Sequence, residues 1–170
     1  MMATSAPFLA LLLPPLGAAL LALVLPPRRL FSGAAHAMFA LVSLGAALGL
    51  VYLVLDGVTP TWGPTDLFRV DALSALLAVC IAFVTTLSAL LGPGPGREQH
   101  YTPAQIRRFR VFASLFAFTM LVAVTANNVG VMWIAIEATT IVSAVIVAVI
   151  WILVDLHIIT WGDWFRGAIK

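Results

Sequence analysis

The sequence predicts an all-α polytopic membrane protein of five transmembrane helices, with the N-terminus outside, the C-terminus cytoplasmic and a short interfacial helix at the end. Three observations carry this prediction. Of the 170 residues, 62% are hydrophobic and 9% charged, with a mean hydropathy of +1.10. Apolar runs of spanning length occur five times, and the cations gather in alternate connecting segments. A water-soluble domain carries roughly 25% charged residues and, at this size, has too little interior to hide so many Leu, Val, Ala and Ile. A soluble enzyme is thereby excluded. Cys80 is the only cysteine, so one chain can form neither a disulfide nor a Cys-based zinc or iron-sulfur site. The net charge of +2 reads as membrane orientation, with no nucleic-acid partner.

A helix rises about 1.5 Å per residue and the hydrocarbon layer is about 30 Å thick, so each span needs about 20 mostly apolar residues. The first run, residues 6–25, contains Pro14-Pro15, expected to kink it, and stops at Pro26-Pro27 before Arg28-Arg29. Met1 to Pro7 lacks the cation of a secretory signal, so this run is read as a span. The second, residues 34–55, holds Ser43, Gly45, Ala46, Ala47 and Gly49, small residues that let a neighbouring helix approach. Residues 56–70, with two prolines, two glycines and Trp62, read as an extracytoplasmic loop near the headgroups.

The third run, residues 71–91, opens on Asp71, whose spacing to Ser74 suits an N-cap, and ends in Gly-Pro-Gly-Pro-Gly at 92–96. The fourth, residues 103–126, starts with Thr102 as cap and Pro103 in the first turn, carries Arg107, Arg108 and Arg110, and stops at the turn Asn127-Asn128. The fifth, residues 129–154, is long enough to span with tilt. Together residues 1–154 form one transmembrane domain. Residues 155–170 follow as an amphipathic cytoplasmic tail, with Asp155, Asp163, Arg166 and Lys170 on one side and Trp161, Trp164 and Phe165 on the other. With the N-terminus outside, the inner segments hold eight cations and the outer segments only Arg69, which sets the orientation.

Glu137 is the candidate site. It lies eight residues past Val129, about 12 Å along the axis, where a charged side chain is penalised by at least about 2.5 to 3.5 kcal/mol. A carboxyl that can be neutral or ionised at such a place is a proton-relay element; the alternative is structural glue between helices. Trp133, Thr140, Ile141 and Ala144 share its face, which can meet another helix. Asn127 and Asn128 form the turn, with either side chain a candidate for the proton path. Asp71 is read as a helix cap ahead of an ion ligand. His36, His100 and His157 fall in loops or near interfaces, are read as solvated or lipid-facing, and have no metal-pair spacing. Thr85, Thr86, Ser88, Ser114, Thr119 and Thr125 are expected to satisfy local carbonyls. No phosphate loop, dinucleotide fingerprint, nucleophilic triad or haem-ligating His pair occurs, so no cofactor or metal site is expected.

Two stretches carry a family resemblance: Phe-Arg-Val-Asp-Ala-Leu-Ser-Ala-Leu at 68–76 and Asn-Asn-Val-Gly-Val-Met-Trp-Ile-Ala-Ile-Glu-Ala-Thr-Thr at 127–140. Over about residues 5–145 the chain resembles the front end of the antiporter-like membrane subunits. These include the proton-pumping subunits of respiratory complex I, the large subunits of Mrp-type antiporters and membrane subunits of energy-converting hydrogenases such as formate hydrogenlyase. The Ile-Glu-Ala-Thr-Thr segment is most similar to the hydrogenase branch. The resemblance implies a non-catalytic subunit of a proton-translocating oxidoreductase or hydrogenase complex in a bacterial inner membrane. In that family the fifth-helix glutamate pairs with a lysine two helices on. Lys170 is the chain's only lysine, so the resemblance implies that a partner membrane subunit supplies one near Glu137. The alternative is a structural or assembly subunit, or a truncated relative, that packs against partners and lipid without transporting ions.

Overall fold

The computed structural model describes residues 5–24, 29–91 and 103–155, and the side chains of 5–24, 33–91 and 104–148. Five α-helices account for most of them: α1 (Ser5–Val24), α2 (Arg29–Leu55), α3 (Ala72–Leu91), α4 (Pro103–Thr125) and α5 (Val129–Asp155). All five are long and apolar enough to cross a membrane. α1 packs on α2 and α4, α2 on α3, and α3 on α4, so four helices close a ring; α5 lies outside it, against α4. Asp155, expected to open the interfacial helix over 155–170, ends α5 instead; the rest of that helix, Thr102, His100 and the glycine-proline segment lie outside the described residues.

The ring closes because its facing positions are small or fit between small ones. Ala75, Ala78 and Ala82 make a buried stripe at helical spacing on α3, and Ala47, Leu50, Phe8, Leu11 and Leu121 fill the space beside it. Thr86 extends the stripe, its hydroxyl donating to Ala82 O at 2.8 Å and standing 3.3 Å from Ala40 O on α2. The small residues expected to bring a neighbour close to α2 divide between two faces. Ser43 and Ala47 point inward, whereas Gly45 and Gly49 face open space.

Pro14 and Pro15 do not interrupt α1, which runs through both. Pro15 has no N–H for the carbonyl of Leu11, four residues back. The hydroxyl of Ser43 donates to that carbonyl at 3.0 Å. A backbone acceptor freed inside an apolar bundle is thus met by the neighbouring helix.

The loop between α2 and α3 is a small lid. α2 ends in a Schellman turn, with Val58 N–H bonded to Leu53 O and Gly57 N–H to Val54 O, both at 3.0 Å. Gly57 takes φ +80°, a conformation natural to glycine. β1 (Thr61–Trp62) and β2 (Phe68–Arg69) then pair antiparallel, Trp62 opposite Phe68. Trp62 stacks on Phe68 at 5.5 Å and on Phe8 of α1 at 6.2 Å, closing that end of the ring over apolar surface.

Candidate functional site

Glu137 sits near the middle of the described apolar span of α5, Val129–Ala148. Its position around the helix is decided by how α5 is attached. Ala135 is buried against the bundle, and Thr139 donates to Thr119 of α4 at 2.9 Å. Glu137 lies two residues, about 200°, from Ala135 and is therefore turned away from α4. Its side chain is exposed, as are Trp133, Thr140, Ile141 and Ala144, and Trp133 is 65% exposed. Only 6% of the α5 span is buried, against 44% of α1. The carboxyl makes no hydrogen bond or ion pair among the described residues.

Of the residues expected beside Glu137, the structure brings Trp133 and Thr140 to its face and leaves the others at the helix ends. The Thr140 hydroxyl donates to Ile136 O at 3.1 Å. Asn128 caps α5: its Oδ1 accepts the N–H groups of Gly130 at 2.9 Å and Val131 at 3.3 Å. A β-carbon at Gly130 would stand 3.1 Å from that oxygen, so glycine there gives the cap room. Asn127 anchors the lid, its N–H donating to Leu67 O at 2.8 Å and its Nδ2 to Asp66 O at 3.0 Å. Asp71 caps α3 by accepting Ser74 N–H at 2.8 Å. All three belong to the same end of the bundle, and Asn128 is about 14 Å along the axis from Glu137.

At the opposite end, the structure assembles polar residues that the sequence reading dispersed. His36 is buried, 9% exposed, and does not reach solvent or lipid as expected. Its Nδ1 lies 3.4 Å from the hydroxyl of Ser114, which is buried too and faces α2 across the bundle. Arg110, one turn before Ser114, is 7% exposed. A signal for this was present. Ile106, Arg110, Ser114, Ala117 and Leu121 share the inward stripe of α4, and His36, Ala40, Ser43 and Ala47 that of α2. Residue type pointed outward while spacing pointed inward, and spacing prevailed.

Three of the other hydroxyls are engaged in the helices. Thr85 donates to Ile81 O at 2.7 Å, Thr125 to Leu121 O at 2.7 Å and Thr119 to Phe116 O at 2.9 Å. Cys80 is exposed with a free thiol. No group of three or more His, Cys, Asp or Glu able to hold a metal occurs among the described residues. No family model, curated protein or solved structure matches the chain.

Proposed function

We propose that the chain is a multi-pass membrane subunit of a proton-translocating oxidoreductase or hydrogenase complex of a bacterial inner membrane, with Glu137 a protonatable group completed by a lysine of a neighbouring subunit. One observation carries the reading: a carboxyl at the middle of an apolar span, turned away from its own bundle, without a partner among the described residues. In a bilayer such a group is either protonated or met by another chain, because an unpaired charge at that depth costs at least about 2.5 to 3.5 kcal/mol. Approach of an ammonium favours the carboxylate and its withdrawal the acid, so a moving partner lets the site release and regain a proton. The proposed orientation rests on charge: Arg107, Arg108 and Arg110 lie at the end opposite the lid, which carries Arg69. The motifs at 68–76 and 127–140 resemble the antiporter-like family, which supports the choice of complex.

Glu137→Gln keeps the size of the side chain and removes its titration. In the assembled complex, reconstituted in vesicles with a pH-sensitive dye, the variant is expected to abolish coupled proton movement while assembly persists. Unchanged pumping would remove the role. A structural reading is favoured by the attachment of α5 through α4, which leaves its apolar outer face for a partner helix. On that reading Glu137→Gln leaves pumping intact and weakens only subunit retention, and no partner lysine lies within ion-pair reach.

A further inference from the structure

We infer that His36 is a proton-operated latch: uncharged, it lets α1, α2 and α4 close at the end of the bundle opposite the lid, and taking up a proton releases them. His36 and Arg110, both buried, line one cavity between these helices, with Ala18, Leu21 and Ala22 of α1 as its other walls. A β-carbon added at Gly33 would stand 3.2 Å from a terminal nitrogen of Arg110. Gly33 is one turn before His36 on the same face of α2, so the guanidinium lies beside the imidazole's own helix face. The cavity has room for about one water and is too small for an anion with its hydration water.

No group of the ring can offset a charge on His36. The helices α1 to α4 contain no Asp or Glu. Of the elements packed around His36, α1 has no titratable side chain, α3 only Cys80, which is exposed, and residues 33–55 of α2 only Tyr52, exposed toward the far end. α4 contributes Arg110, with Arg107 and Arg108 exposed nearer its start. The Ser114 hydroxyl, 3.4 Å from Nδ1, can donate to a neutral imidazole or accept from a charged one, but it brings no charge. An imidazolium here is therefore a desolvated cation beside a second cation, and it is relieved only by the helices moving apart to admit water. Imidazole changes charge between about pH 5 and 8, and His36 lies three residues, about 5 Å, inside the apolar span of α2, close to the aqueous side. The latch is separate from Glu137, which sits on α5 outside the ring.

Amide exchange of the full chain in uncharged detergent, compared at about pH 7.5 and 5.5 after correction for the intrinsic rate, tests this. Opening that takes up one proton, at a group that protonates near pH of about 6.5 in water, is favoured about tenfold over that interval. Residues 19–22 and 106–114 are expected to exchange about tenfold faster at the lower pH, while Val70 and Asn127 in the lid keep their rates. His36→Gln retains a neutral polar side chain and should abolish the acceleration, although His100 and His157 still titrate. Arg110→Gln removes the neighbouring charge, leaves His36 in place and should reduce the acceleration to about threefold. No acceleration in the native chain, one as large in either variant, or one shared equally by the lid would each overturn the assignment.

Discussion

Ser43 shows how one hydroxyl makes two prolines tolerable. Its bond to Leu11 O replaces the one that Pro15 cannot give, so Ser43→Ala should leave a buried carbonyl unmet and cost about 1–3 kcal/mol. The measurement is the unfolding midpoint in detergent. Pro15→Ala in the same background restores an N–H at the right place and should recover part of the loss, a coupling that a double-mutant cycle isolates. If the two losses simply add, the hydroxyl and the proline are not linked. Glu137 presents the opposite case, a polar group that its own fold leaves unmet among the described residues. On the proposed reading its chemistry depends on a neighbouring chain.

α3 begins where Asp71 accepts the N–H of Ser74, and that hydrogen bond holds its carboxyl below the usual carboxylate range. A lowered folded-state value means that the cap stabilises α3 fully above the unfolded value, about pH 4, and that the contribution is lost as pH falls through the folded one. Amide exchange at Ser74 and Ala75 should therefore quicken on acidification below pH of about 4, beyond the intrinsic rate. Asp71→Asn keeps a capping oxygen without a titrating group and should abolish that extra pH dependence. If the asparagine variant responds to acid like the native chain, another group is responsible. For α2 and α4 the lesson concerns periodicity: the inward stripe is set by the spacing of Ala40, Ser43 and Ala47 and of Ser114, Ala117 and Leu121. His36 and Arg110 lie on those stripes and go inside with them.

Across the molecule, the lid ties two connections into one structure. Val70 N–H bonds Pro60 O at 3.0 Å, Phe68 pairs with Ala126, and Asn127 reaches both Leu67 O and Asp66 O. The α4–α5 turn is thereby fastened to the α2–α3 loop, although the ring alone would leave α5 held only along α4. Asn127→Ala removes the side-chain bond and should cost about 1 kcal/mol, read as faster amide exchange at Val70 and residue 127 with the helix cores unchanged. Exchange equal to that of the native chain would mean that the aromatic stack of Phe8, Trp62 and Phe68 suffices. With its base held in this way, α5 presents a fixed outer face.

The number of helices, their bounds to within a few residues, the turn at Asn127-Asn128 and the cap at Asp71 were legible in the sequence. Each depends on chain-local physics: the length of an apolar run, a missing N–H, a side-chain oxygen three residues from its donor. The place of Glu137 along its helix was legible for the same reason, since it is a count of residues from Val129, where α5 begins. Which way Glu137 faces was not, because an apolar helix such as α5 has no polar side to mark the outside, and only its contact with α4 through Ala135 and Thr139 sets the rotation. Tertiary packing also gathered His36, Ser114 and Arg110 from two helices and turned Gly45 and Gly49 outward. In a chain this uniformly apolar, burial is decided by which stripes fit together, and that is a property of pairs of helices.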